Sequence, residues 1–224
     1  MTGMFKTALR FALVALLLAA GTSHAQAQVN AWWHGVLSEF WDEGSLDHPS
    51  NWYHLPPAQG DPRQTPVRTA SFGAGAVTTE ITIRNPDTLI RTMHFVAGVE
   101  RYVFTISGQL GVSVSILNQA MTTPYFRVTG RDARLFFTGS SRLLPNAGSV
   151  VAETQARSRS RVRFQGASRA GNAKLTAVAQ AQINFEDRSN AEVASLRAGR
   201  AQGRINFTGR STPSDARIRV DRGG

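Results

Sequence analysis

Histidine and carboxylate side chains are the first candidates for chemistry in this chain, because together they bind zinc and similar metal ions. Three of the five histidines lie within an acidic stretch near the N-terminus. The histidines and the nearby acids are His24, His34, His48, His54 and His94, with Glu39, Asp42, Glu43 and Asp47. No two histidines have the i, i+4 spacing of ligands on one helix, and no HExxH motif occurs. These side chains are interpreted as turn and capping residues, and the sequence predicts no catalytic, cofactor-binding or metal-binding residue.

Paired carboxylates are the second candidate, because glycosidases use two of them and other glycan-cleaving enzymes use clustered acids or Ca²⁺. The C-terminal half contains one adjacent pair, Glu186 and Asp187. The other acids there are Asp132, Glu153, Glu192, Asp215 and Asp221. Asp187 stands where related segments have Gly, so the pair is interpreted as the corner of a turn. The chain has no G-x-S-x-G nucleophile motif.

Aromatic residues near the N-terminus are the third candidate, because indole and phenol rings can stack on sugars. They are Trp32, Trp33, Trp41, Trp52 and Tyr53, and they include every Trp of the chain. The interpretation favoured here is that these rings cover the open end of the fold's first coil, where large apolar side chains are buried.

A seven-residue sequence phrase, which occurs four times, predicts the strands that would position these residues. The copies are Leu135–Ser141, Val162–Ser168, Ile183–Ser189 and Ile205–Ser211, with Phe-to-Phe spacings of 27, 21 and 22 residues. In each copy an aliphatic residue and a Phe lie two apart, as one face of a strand requires, and Gly or Asp then supplies a turn before Ser. A second alternating phrase follows the last three copies, at Ala173–Leu175, Ala194–Leu196 and Ala216–Ile218. Each unit therefore holds two short strands.

A unit of this size cannot bury its own apolar row, so neighbouring units must cover it, as in a solenoid. The sequence thus predicts an all-β fold, a right-handed parallel β-helix with coils of about 21–22 residues, in which the Phe rings form inward ladders about 4.8 Å apart. A leucine-rich repeat is disfavoured because its L-x-x-L-x-L-x-x-N phrase is missing. The long first spacing predicts an insertion formed by Arg142–Asn146 together with Glu153–Ser160.

The chain divides into four predicted segments. These are a signal peptide at residues 1–27, a Trp-rich N-terminal cap at 28–66, degenerate β-helix coils at 67–132 and repeated coils at 133–224. The degenerate coils are predicted from period-two alternation in Glu80–Ile83, Leu89–Ile90, Met93–Phe95, Tyr102–Ile106 and Leu110–Ile116.

The predicted signal peptide has a positive start, an apolar run and small residues at the cleavage position. Lys6 and Arg10 precede the ten apolar residues of Phe11–Ala20, and Ser23–Ala25 or Ala25–Ala27 offers the cleavage site. A run of ten is too short to cross a hydrocarbon core of about 30 Å. The sequence therefore predicts export and no membrane span in the mature chain.

Charge is distributed unevenly. Residues 130–224 carry sixteen Arg and one Lys against seven acids, whereas residues 28–129 carry six Arg against eight acids. The excess favours either a polyanion-binding face or, as preferred here, solvated arginines that keep strand edges from associating. No nucleic-acid motif accompanies the arginines, so specific nucleic-acid binding is not expected. The chain has no Cys, which excludes disulfides and thiolate metal sites.

Several short motifs follow one another in a defined order. They are Trp33-His-Gly35, Asn51-Trp52, Ala70-Ser-Phe72, Tyr102-Val-Phe104-Thr-Ile106-Ser-Gly108, Ile116-Leu-Asn118 and Ser168-Arg-Ala170-Gly171-Asn-Ala173. This order resembles that of the β-helical passenger regions of bacterial autotransporters over most of residues 32–224. The resemblance implies an exported, non-enzymatic β-solenoid at the cell surface or outside the cell, with an adhesive or surface-structural role.

Autotransporters end in an outer-membrane β-barrel of amphipathic strands with aromatic girdles, and no such segment occurs in this sequence. The resemblance therefore implies either a truncated or split passenger or a chain that uses a translocator barrel as a separate partner, with a periplasmic location if none is supplied. It also implies host or cell-surface glycans or other polyanions as possible ligands. Two alternatives stay open: a polysaccharide-processing β-helix enzyme of lyase or glycosidase type, and a basic polyanion-binding module.

Overall fold

The computed structural model describes residues 30–35, 38–41, 51–54, 66–144 and 153–222, which form short β-strands and no helix. None of these residues therefore belongs to a helix able to cross a membrane. The predicted signal peptide and much of the predicted cap lie outside the described residues. In chain order the strands are β1 Asn30–Trp33, β2 Trp52–His54, β3 Thr69–Phe72, β4 Glu80–Ile83, β5 Thr88–Phe95, β6 Val103–Ile106, β7 Gln109–Asn118, β8 Tyr125–Val128, β9 Arg134–Phe137, β10 Arg142–Leu144, β11 Glu153–Ala156, β12 Arg161–Phe164, β13 Lys174–Ala177, β14 Gln182–Phe185, β15 Ser195–Ala198, β16 Arg204–Phe207 and β17 Arg217–Val220.

These strands stack in parallel as a β-solenoid of about six turns, which confirms the predicted fold class. Each strand pairs with the strands of the coils before and after it, and the exception is the antiparallel pair β1 and β2. Short alternating segments form such coils because every second side chain can face a shared interior while the backbone hydrogen bonds run from coil to coil.

The strands lie on three faces. Face 1 consists of β9, β12, β14 and β16 with the first halves of β5 and β7. Face 2 consists of β1, β3, β10 and the second halves of β5 and β7. Face 3 consists of β4, β6, β8, β11, β13, β15 and β17. The pairing register of β5 with β7 shifts between Ile90 and Thr92, where both strands pass from face 1 to face 2.

The corner between these faces changes which side chains point inward. Period-two alternation places Val114 in the same inward row as Val112 and Ile116. In the structure Val112 and Ile116 are buried, but Val114 is 42% exposed. The chain turns between the two buried residues, so the alternation restarts on the new face and leaves Val114 outside.

The Phe ladder forms as predicted on face 1. The strand registers align Phe137 with Phe164, Phe164 with Phe185 and Phe185 with Phe207. Successive ring centroids are 4.7, 4.7 and 4.8 Å apart, and the ring planes are within 11° of parallel. This spacing equals the distance between hydrogen-bonded strands, so each coil contributes one ring to the ladder.

The face that carries the large aromatic side chains changes along the solenoid axis. In the earlier coils stacked pairs lie on face 2 (Phe72 and Phe95) and on face 3 (Phe104 and Phe126). In the coils of Phe137, Phe164 and Phe185, where Phe occupies face 1 instead, the last inward position of face 3 is buried alanine, whereas the coil of Phe207 has the exposed Val220 there. At that position the earlier coils have Ile83, Ile106 and Val128, and the later coils have Ala156, Ala177 and Ala198. The exchange keeps the interior filled at close-packed density.

The predicted insertion is wrong in both of its parts over the residues that the structure describes, which are Arg142–Leu144 and Glu153–Ser160. Glu153–Ala156 is the regular strand β11, which pairs in register with β8 and β13 on face 3. Its sequence, Glu-Thr-Gln-Ala, lacks the large apolar residues of a typical strand, and the strand forms because both neighbouring coils offer backbone partners. In the first part, β10 extends face 2 by pairing with β7. In later coils face 2 narrows to single bridges at Arg169, Asn190 and Thr212, so these units hold two strands each, as predicted.

Candidate functional site

The histidines do not assemble a site within the described residues. His94 lies on β5 of face 2, and its Nε2 is 3.1 Å from Oε1 of Gln119 on the next coil. His54 is at the end of β2, opposite Ala31. His48 lies outside the described residues, as do Asp42, Glu43 and Asp47 of the acidic stretch. The described part of the chain brings no group of three or more metal-binding side chains together.

Glu186 is tied to the preceding coil. Its carboxylate accepts hydrogen bonds from Arg163, at 3.1 Å from Nε and 2.7 Å from Nη2, and from Nε2 of Gln165 at 3.2 Å. This two-point contact of guanidinium with carboxylate is the strong form of ion pairing. Glu186 thus links β14 to β12.

Asp187 occupies a turn corner, which confirms the interpretation from sequence. Its φ is +58°, and the equivalent residues on adjacent coils, Gly166 and Gly209, have φ of +66° and +69°. The Asp187 carboxylate accepts a hydrogen bond from the Gly166 amide at 2.9 Å. Asp is one of the few residues that enter this left-handed conformation readily, because its short side chain can bond locally.

Two further carboxylates also bind arginines from other coils. Glu192 accepts hydrogen bonds from Arg142 and Arg169, at 3.4 and 3.3 Å. Asp221 accepts two from Arg197, at 2.9 and 2.6 Å, and one from Arg219 at 3.1 Å. The hydrogen bonds from Arg197 are the main cause that lowers the pKa of Asp221 below its ordinary value. These contacts engage both carboxylates, and those made by Arg197 favour the ionised form of Asp221.

The tryptophans divide between the core and the surface. Trp33, Trp41 and Trp52 are buried and meet edge to face, with centroid distances of 5.1 and 4.6 Å from the Trp52 ring. The Trp52 indole donates a hydrogen bond to the Trp41 carbonyl at 3.0 Å. These rings close over Phe72, 6.0 Å from Trp52. They are thus unavailable for stacking on a sugar.

Trp32 points outward on face 2 and is half-buried. It borders a depression of about 350 Å³ that Gly73 and Val96 also line. The closest approach is at Gly73, where an added Cβ would lie 3.0 Å from the Trp32 ring. Glycine is needed there because the indole lies flat against the backbone of the next coil.

The most distinctive polar surface lies at the corner between face 3 and face 1. Four stacked turns form it, at residues 129–133, 157–160, 178–181 and 199–203, together with the first outward side chain of each following face 1 strand. Those side chains stand in one register, and they are Arg134, Arg161, Gln182 and Arg204. We call this surface the arginine corner.

The turns of the arginine corner have an unusual backbone. Consecutive non-glycine residues have positive φ in the last three turns, namely Ser158 and Arg159, Ala179 and Gln180, and Ala201 and Gln202, with values from +50° to +67°. In these turns amides bond to the next coil, for example from Gln180 to the Ala201 carbonyl at 2.8 Å. The stacked turns project Arg159, Gln180 and Gln202 outward in a row, and all three are exposed.

Arginines at this corner lack the carboxylate contacts that Arg142, Arg163, Arg169, Arg197 and Arg219 make elsewhere in the repeats. Within residues 66–144 and 156–222, no carboxylate lies within ion-pair distance of Arg131, Arg134, Arg159, Arg161, Arg200 or Arg204. Arg159 donates from Nε to Oε1 of Gln180 at 2.8 Å. Asp132 is the one acidic residue of the four turns. These six arginines therefore concentrate positive charge that no described carboxylate pairs with.

No protein-family model, curated protein or solved structure matches this chain. Its function is therefore argued from the geometry above. Sequence reasoning had identified the basic half but not the corner, because the corner's residues come from four turns of different sequence and only the coil register aligns them.

Proposed function

We propose that this protein is an exported, non-enzymatic β-solenoid that acts at the cell surface, as an adhesin or surface-structural component similar to an autotransporter passenger. The observation that supports the proposal is that carboxylates form hydrogen bonds and ion pairs between coils, which we call ties. Glu186 binds Arg163, Asp187 binds the Gly166 amide and Asp221 binds Arg197. Each connects one coil to the coil before it or after it.

Such ties favour a structural role over glycan cleavage. A glycosidase places two carboxyl groups about 5–9.5 Å apart across a substrate and keeps one of them protonated by raising its pKa. Glu186 and Asp187 instead accept hydrogen bonds from Arg163 and from the Gly166 amide, and the pKa of Asp221 is lowered. Engaged in this way, the carboxylates stiffen the stack of coils.

The interior supports the same role. The ladder from Phe137 to Phe207 runs without a break, and the buried residues form one cluster along the described coils. A stack with a continuous core resists bending and can hold outward side chains at a fixed pitch. For export to the surface we propose a separate outer-membrane β-barrel translocator as partner.

The test is export and surface retention of the full chain in a bacterial host, with and without a co-expressed translocator barrel. We expect the chain to lose about 25–27 residues and to leave the cytoplasm, as the tripartite leader predicts. A Leu17→Arg variant, which interrupts the apolar run, is the control that should stay uncleaved inside. Wild-type protein that remains full-length in the cytoplasm would contradict the proposal.

Catalysis is tested separately on the purified chain. We expect no new reducing ends or unsaturated products when it is incubated with acidic or neutral polysaccharides. Cleavage that depends on Glu186 or Asp187 would overturn the non-enzymatic assignment and support the lyase or glycosidase alternative.

A further inference from the structure

We propose that the arginine corner is a binding groove for a linear acidic polysaccharide that lies along the solenoid axis. Two adjoining depressions, of about 610 and 310 Å³, open at this corner. They share the row of exposed side chains Arg159, Gln180 and Gln202. Arg131 extends the larger depression, and both Arg161 and Arg204 line the smaller one. The groove thus spans several coils.

The charge distribution favours an anionic ligand. Several arginines elsewhere in the repeats are neutralised by carboxylates, as Arg163 is by Glu186 and Arg197 by Asp221. At the arginine corner the described carboxylates provide no such partner. Neighbouring uncompensated guanidinium groups repel one another and raise the local potential, which an anionic polymer would relieve.

The pitch of the groove favours a linear polymer. Arg161, Gln182 and Arg204 occupy the same position on three successive strands. Strands lie about 4.8 Å apart, so Arg161 and Arg204 are separated by about 10 Å along the axis with Gln182 between them. A chain laid along the axis meets one polar side chain per coil in this row, either a guanidinium group or an amide.

The side-chain chemistry favours acidic sugars over nucleic acid. Guanidinium groups bind carboxylates at two points, and glutamine amides both donate to and accept from hydroxyl groups. A sugar acid carries both functions on every residue. Binding of single-stranded nucleic acid relies on aromatic stacking platforms, and the side chains that line the two depressions are Arg, Gln, Ser and Ala.

Backbone strain is concentrated at the same place. Six of the described non-glycine residues with positive φ belong to the three turns of this corner. Left-handed backbone at a non-glycine residue carries an energetic cost that glycine would avoid. Arg159, Gln180 and Gln202 keep their polar side chains in spite of this cost. Retained strain of this kind typically marks a functional surface.

This inference deepens the proposed surface role by naming a ligand class. The experiment measures binding of fluorescently labelled polygalacturonate to the full mature chain by anisotropy, with its fully methyl-esterified form as the uncharged probe. In the variant Arg161→Gln with Arg204→Gln we expect binding at least about tenfold weaker, because charge-assisted hydrogen bonds are lost. Gln is tolerated there because Gln182 holds the equivalent position between them.

The matched control removes the same charge at another corner. Arg188 and Arg210 are exposed turn residues between face 1 and face 2, and Arg188→Gln with Arg210→Gln should weaken binding less than about twofold, because distant charges are screened. Unchanged circular dichroism and thermal midpoint verify that both variants fold.

Three results would overturn the groove. They are equal weakening by both double variants, equally tight binding of the methyl ester, and displacement of polygalacturonate by single-stranded DNA at much lower concentration. The proposed surface role would fail differently, through retention of the chain in the cytoplasm or cleavage of the polymer, and neither result changes the comparison between the two variants.

Discussion

The rings of Phe164 and Phe185, which belong to successive coils, stack with centroids 4.7 Å apart and planes 7° from parallel. Their backbones are paired in register in β12 and β14. The distance between the rings equals the distance between paired strands. One residue per coil therefore packs against its own equivalent above and below, and the stability of each coil depends on its neighbours.

Phe185→Ala should lower the free energy of unfolding by about 3–5 kcal/mol, because it opens a cavity between two occupied layers. Phe207→Ala should cost clearly less, since Phe207 is only half-buried and stacks on Phe185 from one side among the described residues. Denaturant titration of both variants provides the measurement. Equal losses would show that the ladder does not transmit packing from coil to coil.

Buried serines should respond to substitution according to their hydrogen bonds. Ser160 Oγ accepts from the Arg157 amide at 2.8 Å and donates to the Val128 carbonyl at 2.9 Å. Ser160→Ala removes both of these bonds, while the amide and the carbonyl keep the bond of 3.0 Å that joins them to each other, so the substitution should cost about 0.5–1.5 kcal/mol.

Ser189 is the contrasting case. Its Oγ is buried and has no hydrogen-bond partner among the described residues, as is also true at Ser141, Ser168 and Ser211. Ser189→Ala should leave stability unchanged or raise it by about 1 kcal/mol, because it removes an unbonded hydroxyl. The two variants are compared by thermal and denaturant unfolding. A larger loss at Ser189 than at Ser160 would contradict the hydrogen-bond assignment.

Exchanging glycine and alanine should change the stability of the protein by different amounts at two turn corners. Gly166 has a φ of +66°, and an added Cβ would lie 2.7 Å from the Gly139 carbonyl oxygen, so Gly166→Ala should destabilise by about 1–3 kcal/mol. Ala179 already has a φ of +50° and is exposed. Ala179→Gly relieves strain at some cost in chain entropy and should change stability by less than about 1 kcal/mol. Comparable destabilisation in both variants would show that the backbone angle φ does not determine the effect of substitution at these positions.

Tyr102 should resist ionisation while the protein is folded. Burial, followed by the nearby charge of Glu100, raises its pKa from 10 to about 12. The folded state therefore keeps the proton that the unfolded state loses, and stability is full below pH 10 and falls as pH rises toward 12. Ultraviolet titration of phenolate absorbance, with unfolding followed in parallel, tests this.

Tyr102→Phe is the control for the alkaline titration. It removes the pH-dependent loss, but it also removes the hydrogen bond to the Gly73 carbonyl at 2.9 Å, so it should cost about 1 kcal/mol at neutral pH. Ionisation of Tyr102 near pH 10 in the folded protein would contradict the assigned burial.

Much of the fold was predictable because local and long-range signals agree in the repeats. The aliphatic-x-Phe phrase identifies strand, inward row and turn together, and the structure places Val162 with Phe164 and Ile183 with Phe185 as that phrase predicts. Glu153–Ala156 was not predictable, because its polar sequence carries no strand pattern. Its pairing with β8 and β13 is decided by the neighbouring coils.

The candidate site shows the same division. The sequence alone identified the excess of arginine in residues 130–224 and the turn position of Asp187. It did not indicate which arginines are neutralised, since Arg163 and Arg161 are two residues apart on one strand and differ in partner. Arg163 reaches Glu186 on the adjacent coil, whereas Arg161 faces Gln182.

By itself, then, the sequence determined the class of fold, the inward ladder and the sign of the surface charge, because these depend on residue type and period within one unit. The tertiary structure alone decided the corners at Val114 and Ile90, the exchange of bulk between faces and the alignment of Arg161 with Arg204. These features depend on how successive coils are superposed. Superposition is set by backbone hydrogen bonds and core volume shared between units, which no single unit encodes.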